Sequence, residues 1–126
     1  MKILVIEDQP NELKLASHVL SAAGNCVHGL GTADHAFEAI LVDRPQLILL
    51  DMSLPGMDSL ALVRLLKADP KTQDIVVVAV TSFPERFSKA AAMEAGCDAY
   101  ILKPLSTRSL PDDLLGIVNK LNYEVG

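Results

Sequence analysis

Short apolar runs alternate with longer stretches of helical periodicity along this chain. Five of the runs have the length and aliphatic composition of strands, and they lie at residues 3–6, 26–30, 47–50, 75–80 and 99–102. Three of them, with the sequences ILVI, LILL and IVVVAV, are apolar at every position. Such runs are typical of parallel strands that helices cover on both faces.

The stretches that follow the runs have apolar residues at helical spacing and predict five helices. They cover residues 11–23, 32 to about 42, a segment around 62–66, 82–96 and a last segment from about 109 onwards. Thr32 is the expected cap of the second helix, and Ser82 with Glu85 fits a capping box for the fourth. Pro111 leaves two possibilities for the fifth helix, a late start capped by Ser109 or a distorted first turn.

A strand thus precedes each helix, and the five pairs predict an α/β fold. We expect a doubly wound, five-stranded parallel sheet with the strand order 2-1-3-4-5 and helices on both faces. In sheets of this kind, binding sites form at the carboxyl ends of the strands, where the strand order reverses. The residues that follow the strands are therefore the first candidates for a function.

Length and composition limit the classes of protein. With 126 residues, half of them hydrophobic, the chain suits one compact domain. The net charge of -5 and the lack of a Lys/Arg stripe disfavour nucleic acid and anionic membranes as partners. No run reaches a secretory core or the ~20 apolar residues of a membrane span, so a cytoplasmic protein is expected. Cys26 and Cys97 lack metal-binding spacing and are expected to be buried free thiols.

Polar residues follow four of the five predicted strands. These strand-end residues are Glu7 and Asp8, Asp51, Thr81 and Ser82, and Lys103 followed by Pro104. Each could act singly as a helix cap, a turn residue or a solvated charge. Together they should converge on one edge of the sheet. Three carboxylates, a hydroxyl group and an ammonium group at one place are hard to explain as caps.

Clustered carboxylates repel one another unless a cation neutralises them. Oxygen donors without histidine or thiolate favour a hard metal ion, and Mg²⁺ is the natural candidate. Mg²⁺ usually takes one or two carboxylates and leaves positions for water and a phosphoryl group. If Asp51 received a phosphoryl group, Thr81 and Lys103 could hold its oxygens. The strand ends therefore predict a Mg²⁺-dependent phosphate site.

Four segments, IEDQP, LLDMSLPGMD, VAVTS and YILKPL, carry a family resemblance in their order and spacing. Together they resemble the receiver domain of two-component response regulators. The resemblance covers essentially the whole chain, so residues 1–122 are identified as the receiver domain and 123–126 as a short C-terminal tail. It implies the flavodoxin-like receiver fold and a single-domain regulator whose output passes through other proteins.

The resemblance also assigns roles to the residues after the first and third strands. It implies that Asp51 is the phosphoacceptor and that Asp8 is a direct Mg²⁺ ligand. Glu7 is a second acidic group that usually acts through water, and Met52 contributes its backbone carbonyl group to the metal.

Residues on the last two strands are implied to respond to the phosphoryl group. By the resemblance, Thr81 and Lys103 contact the phosphoryl oxygens, and Tyr100 rotates as Thr81 moves inward. The peptide bond between Lys103 and Pro104 is cis in such proteins.

Two further residues are expected to set the lifetime of the phosphorylated state. In receivers, the positions of Ser53 and Phe83 flank the path of the attacking water. The large ring of Phe83 should dominate and slow hydrolysis, because Ser53 is too short to offer much cover.

The resemblance implies partners as well as residues. A sensor histidine kinase or a histidine phosphotransfer protein would supply the phosphoryl group, and an unnamed downstream protein would read helix 4, strand 5 and helix 5. The chain would not be an enzyme beyond assisting its own phosphorylation and dephosphorylation. We expect a monomer or a weak dimer.

Three other functions compete with a phosphorylated receiver. A pseudo-receiver scaffold would bind proteins without phosphorylation, but every expected site group is present. A phosphatase of the haloacid dehalogenase type would have DxD after the first strand, where this chain has EDQ. A flavodoxin-like cofactor binder would have a loop rich in Ser, Thr and Gly there, and an acidic loop repels phosphate instead.

Overall fold

The computed structural model describes residues 1–56 and 58–125 and forms a three-layer α/β sandwich. The strands are β1 Lys2–Ile6, β2 Cys26–Leu30, β3 Leu47–Asp51, β4 Val76–Thr81 and β5 Ala99–Leu102. The helices are α1 Pro10–Ala22, α2 Ala36–Val42, α3 Ser59–Ala68, α4 Lys89–Ala95 and α5 Leu110–Val125. All strand pairs are parallel, in the order β2-β1-β3-β4-β5. The predicted fold, strand order and number of helices are confirmed.

Alternate residues of each central strand enter two separate cores. Ile3 and Val5 of β1 pack with α1 and α5, whereas Leu4 and Ile6 pack with α2, α3 and α4. Because side chains alternate across a strand, continuous apolar sequence is required wherever both faces are covered. The edge strand β2 lacks this pattern and is largely exposed.

The fourth helix begins later than predicted, so the capping box at Ser82 was wrong. Residues 82–87 form a turn, and α4 begins after Ser88, whose hydroxyl group accepts the amide N–H of Ala91 at 3.1 Å. The Thr81 hydroxyl oxygen accepts the Phe83 amide N–H instead, at 2.9 Å. The alanine-rich sequence from Lys89 has the stronger intrinsic preference for a helix.

The second helix also begins late, whereas the fifth begins where one of the two predicted possibilities placed it. Thr32 accepts the Asp34 amide N–H at 3.1 Å in a local turn rather than capping α2. The α5 helix begins directly after Ser109, with Pro111 in its first turn, where a missing N–H breaks no helical bond. The predicted end of the domain after residue 122 lies inside α5, and Gly126 lies outside the described residues.

Both cysteines are free thiols, but only Cys97 is buried. Cys26 is exposed, so its predicted burial was wrong. It lies at the start of β2, and an edge strand has only one neighbouring strand to cover it.

A lysine joins three elements at the amino ends of the last two strands. The Lys67 ammonium group donates to the Ile75 carbonyl oxygen at 2.7 Å and to an Asp98 carboxylate oxygen at 2.9 Å. The same Asp98 oxygen accepts the Val77 amide N–H at 2.8 Å. Gly96 ends α4 at a φ of 116°, and a Cβ atom there would lie 2.8 Å from the Lys67 side chain. We call Lys67, Ile75, Val77 and Asp98 the Lys67 network.

None of the helices within residues 1–56 and 58–125 is long and apolar enough to cross a membrane.

Candidate functional site

The backbone hydrogen bonds of the sheet continue past the strand ends and fix the residues that follow them. The Glu7 amide N–H donates to the Leu30 carbonyl oxygen at 3.0 Å, which holds the residue after β1. Met52, the residue after Asp51, donates in the same way to Val80 at 2.9 Å. The sheet therefore positions the backbone on which the candidate site is built.

Three acidic residues meet at this edge of the sheet. Glu7, Asp8 and Asp51 each offer one carboxylate oxygen, and these oxygens lie within 4.8 Å of one another. Glu7 and Asp51 are buried, and Asp8 is partly exposed. A group of oxygen donors without nitrogen or sulfur suits Mg²⁺, which takes few carboxylates and retains water. The chemistry of the donor set therefore fits the predicted metal.

The Lys103 ammonium group contacts three carboxylates from different elements. It lies 2.5 Å from Glu7 Oε1, 2.7 Å from Glu12 Oε2 and 3.4 Å from Asp51 Oδ2. Its backbone is held by a 2.9 Å hydrogen bond from the Lys103 amide to the Thr81 carbonyl oxygen. The peptide bond between Lys103 and Pro104 is cis. One ammonium group thus partly neutralises the buried acids.

The buried acids do not share their charge equally. Burial raises the pKa of Glu7 to about 7, and the Lys103 ammonium group offsets this only in part. Burial alone would also raise the pKa of Asp51, but hydrogen bonds from the Ser53 amide and the Glu7 carboxyl group, with the Lys103 charge, hold it below its usual range. Asp51 is therefore the carboxylate, and Glu7 holds a proton more readily.

Burial also acts on the ammonium group. It would by itself lower the pKa of Lys103, but the hydrogen bonds with Glu12 and Glu7 outweigh it and raise the pKa above its usual range. Lys103 is therefore charged in this site.

Two serines hold the Asp51 side chain and backbone. The Ser53 amide and hydroxyl groups both donate to Asp51 Oδ1, at 3.0 and 2.9 Å. The buried Ser59 hydroxyl group donates to the Asp51 carbonyl oxygen at 2.8 Å. These bonds restrain the orientation of the Asp51 carboxylate, and the serine side chains that form them are small.

The residues predicted to respond to phosphate contact the segment that joins β4 to α4. The Thr81 hydroxyl oxygen accepts from the Phe83 amide, and the Tyr100 hydroxyl group donates to the Phe87 carbonyl oxygen at 2.5 Å. Thr81 is fully buried, whereas 44% of Phe83 is exposed. Residues 82–88, which we call the β4–α4 segment, are thus attached to both predicted switch residues.

Sequence comparison provides the family. The profile described as the response regulator receiver domain matches residues 3–115. The chain belongs to this family. Receiver domains are signalling phosphoacceptors of two-component systems rather than enzymes, and they typically bind Mg²⁺ at an acidic pocket. They interact with histidine kinases or phosphotransfer proteins.

Individual relatives and solved structures agree with the family. The phosphate regulon transcriptional regulatory protein PhoB of Pseudomonas aeruginosa is 36% identical over 120 residues, covering 94% of this chain and 52% of that protein. The polar-differentiation response regulator DivK of Brucella anthropi is 34% identical over 108 residues, covering 82% and 85%. A CheY-like receiver domain protein from Methanospirillum hungatei has a TM-score of 0.86 at 26% identity, covering 98% and 97%. The chain spans about half the length of the first curated relatives that it matches.

The receiver structure brings together most of the residues predicted for its site, and adds two. Glu7, Asp8, Asp51 and Lys103 converge as expected at the carboxyl edge of the sheet. Sequence reasoning missed Glu12 and Ser59. Glu12 lies in the first turn of the helix after β1, a position that faces the same edge, and that placement is the signal that could have found it.

Proposed function

We propose that this chain is a phosphorylatable receiver that accepts a phosphoryl group on the Asp51 carboxylate. The observation that carries the proposal is the buried carboxylate of Asp51, held by Ser53 and facing the Lys103 ammonium group beside two further acids. The donor would be the phosphohistidine of a sensor kinase or of a phosphotransfer protein.

The transfer is a nucleophilic displacement at phosphorus. A carboxylate oxygen of Asp51 attacks, the new O–P bond forms, and the N–P bond of the phosphohistidine breaks. The imidazole leaves with the bonding electron pair and takes a proton from solvent. Water later attacks the same phosphorus, the O–P bond breaks, and inorganic phosphate leaves as the Asp51 carboxylate is restored.

Mg²⁺ would be held by Asp8, Asp51 and the Met52 carbonyl group, with Glu7 as the second acid. Bound there, it would neutralise negative charge on the carboxylates and on the phosphoryl oxygens. Lys103 would supply a second positive charge, since its ammonium group already lies 3.4 Å from Asp51 Oδ2.

Thr81 and Tyr100 would convert phosphorylation into a change of surface. Thr81 would move inward and donate its hydroxyl hydrogen to a phosphoryl oxygen, losing the bond that it now accepts from the Phe83 amide. Tyr100 would move with the β4–α4 segment to which it is bonded. Phosphorylation would shift an existing equilibrium, because the active arrangement binds the phosphoryl group better. A downstream protein would read α4, β5 and α5, which border a groove of about 430 Å³ lined partly by Met93, Tyr100 and Ile117.

The proposal also covers the extent of the receiver unit, its location and oligomeric state, and the lifetime of its phosphorylated state. Residues 1–122 would act as one receiver unit in the cytoplasm, as a monomer or a weak dimer, without binding nucleic acid or membrane. Phe83 would set the lifetime of the phosphorylated state more than Ser53. The pseudo-receiver alternative is not favoured, because a scaffold has no need for the acidic group and Lys103 together.

Labelling with radioactive acetyl phosphate tests the proposal. Wild-type protein should incorporate phosphate in the presence of Mg²⁺ but not when a chelator is added before the donor. The label should be released by hydroxylamine, which cleaves acyl phosphates. Asp51→Asn should abolish labelling, because the amide is a far weaker nucleophile of almost the same shape. Asp34→Asn, at an exposed position, is the matched control and should label normally. Full labelling of Asp51→Asn would reject Asp51 as the acceptor, and an unlabelled wild type would favour the scaffold.

A further inference from the structure

Glu12 contacts the Lys103 ammonium group from the first turn of α1. Glu12 Oε2 lies 2.7 Å from Lys103 Nζ, and the Glu12 side chain is 49% exposed, whereas the Lys103 side chain is 10% exposed. The two residues come from elements at opposite ends of the chain. Glu12 is therefore an exposed acid that reaches a nearly buried cation.

The donors of Lys103 are fully used in this arrangement. An ammonium group has three N–H donors, and Glu7, Glu12 and Asp51 each accept from it. Asp51 has the longest of the three contacts, at 3.4 Å, so the ammonium group lies closer to the Glu7 and Glu12 side of the site. A phosphoryl group on Asp51 can take over the donor that Asp51 now accepts, but a second bond from Lys103, or a closer approach of the ammonium group, requires Glu7 or Glu12 to give way.

Glu12 is the carboxylate that can give up its bond at the lowest cost. Its exposed side chain can take water in place of Lys103, whereas Glu7 is buried and would keep only the Gln9 amide N–H, at 3.1 Å, in a medium of low polarity. Its negative charge also repels an anionic phosphoryl donor. Both effects oppose phosphorylation, and both come from the same side chain.

We propose that Glu12 is a positioning residue that holds the Lys103 ammonium group away from Asp51 before phosphorylation and releases it when phosphoryl oxygens take its place. This rests on the proposed function of Asp51 as the phosphoacceptor. Glu12 thereby slows phosphorylation without contacting the phosphoryl group in the product. Once Lys103 has moved, Glu12 has little influence on hydrolysis.

The test compares Glu12→Gln with the matched control Glu38→Gln in the 126-residue chain with acetyl phosphate and Mg²⁺. Glu38 is also a glutamate in the first turn of a helix, it is exposed, and it forms no ion pair within the described part of the chain. Glu12→Gln should speed phosphorylation about two- to fivefold, the range expected when a partly exposed ion pair is removed. Its hydrolysis rate should change by less than about twofold, and Glu38→Gln should alter neither rate.

Three kinetic outcomes would overturn the proposal. They are an unchanged phosphorylation rate for Glu12→Gln, an equal increase for Glu38→Gln, and parallel changes of phosphorylation and hydrolysis. Parallel changes of both rates would indicate a general structural effect of the substitution rather than the loss of the contact between Glu12 and Lys103.

A second measurement separates this proposal from that of the phosphoacceptor. The side-chain NMR signals of Lys103 are recorded in unphosphorylated, metal-free protein, where no phosphoryl chemistry is involved. Glu12→Gln should shift these signals and speed exchange of the ammonium protons, while Glu38→Gln should not. Unchanged Lys103 signals in Glu12→Gln would overturn the proposal that Glu12 positions Lys103, even if Asp51 were labelled. Shifted signals together with an unlabelled wild type would support that proposal and reject Asp51 as the phosphoacceptor.

Discussion

The Tyr100 hydroxyl group donates a 2.5 Å hydrogen bond to the carbonyl oxygen of Phe87, and so joins β5 to the β4–α4 segment. Tyr100→Phe removes this donor and leaves the ring in place. We expect unfolding in urea to show a loss of about 0.5–1.5 kcal/mol, the usual net value of one such bond. Hydrogen exchange followed by mass spectrometry should be faster in residues 82–88.

The pattern of hydrogen exchange shows whether Tyr100→Phe loosens only the β4–α4 segment or the whole fold. Residues 26–30 of β2 lie at the other edge of the sheet and should exchange as in the wild type. Unchanged exchange in the β4–α4 segment of Tyr100→Phe would show that the hydroxyl group does not restrain it.

Magnesium should stabilise the fold through Asp8. A ligand that binds only the native state adds RT ln(1 + [L]/Kd), which is about 1.4 kcal/mol at ten times Kd. Millimolar Mg²⁺ should therefore raise the melting temperature of the wild type, and Asp8→Ala should remove most of this increase. Asp8→Ala itself can stabilise the metal-free protein, because it relieves repulsion among the acids.

Asp34→Ala is the control for the magnesium effect, since Asp34 is exposed and lies in the loop between β2 and α2. It should retain the full increase in melting temperature. If Asp8→Ala bound Mg²⁺ as tightly as the wild type in calorimetry, the assignment of the metal site would be wrong.

The lifetime of the phosphorylated state should depend more on Phe83 than on Ser53. Phe83→Ala should shorten the half-life of phosphorylated Asp51, because a large ring that shields the acyl phosphate from water is lost. Ser53→Ala should change it less, since the Ser53 amide donor to Asp51 remains. The decay of labelled protein after removal of the donor measures both. Equal half-lives for Phe83→Ala and the wild type would exclude shielding by the ring.

The sequence predicted the sheet well because long apolar runs are required wherever helices cover both faces. It failed at the starts of α2 and α4, where short-range competition decides the outcome. Before α4, the Thr81 hydroxyl oxygen accepts the Phe83 amide N–H, and the helix begins only after Ser88. Helix propensities do not predict whether a capping box at Ser82 or this local side-chain bond will form.

The candidate site could be predicted from its strand-end residues, but its ion pairs could not. Strand ends of a parallel sheet share one edge, so Glu7, Asp51 and Lys103 converge by topology alone. The contact between Lys103 and Glu12 joins residues 91 positions apart and depends on the direction of two long side chains. No spacing rule reports that direction.

The two thiols should differ strongly in reactivity. Burial raises the pKa of Cys97 to about 11, with the negative charge of Asp98 adding to the effect. At pH 8, native protein should therefore be alkylated at the exposed Cys26 and remain unmodified at Cys97, as peptide mass spectrometry can check. Rapid modification of Cys97 in native protein would contradict its burial.

The raised pKa of Cys97 also has a consequence for stability. Its thiol ionises less readily in the folded than in the unfolded chain, so its contribution is complete below pH 9 and is lost as the pH rises from 9 towards 11. Cys97→Ser, whose hydroxyl group does not ionise in this range, should show a smaller loss of stability between these two pH values.

The Lys67 network adds side-chain bonds to the backbone bonds that join β4 and β5 at their amino ends. One ammonium group bonds to the start of β4 and to the turn before β5, and this opposes sliding of the two strands at that end. We therefore expect a change that begins at Thr81 or Lys103 to leave the amino ends in place and to displace the carboxyl ends of β4 and β5 most. Lys67 would then act as the pivot of that movement.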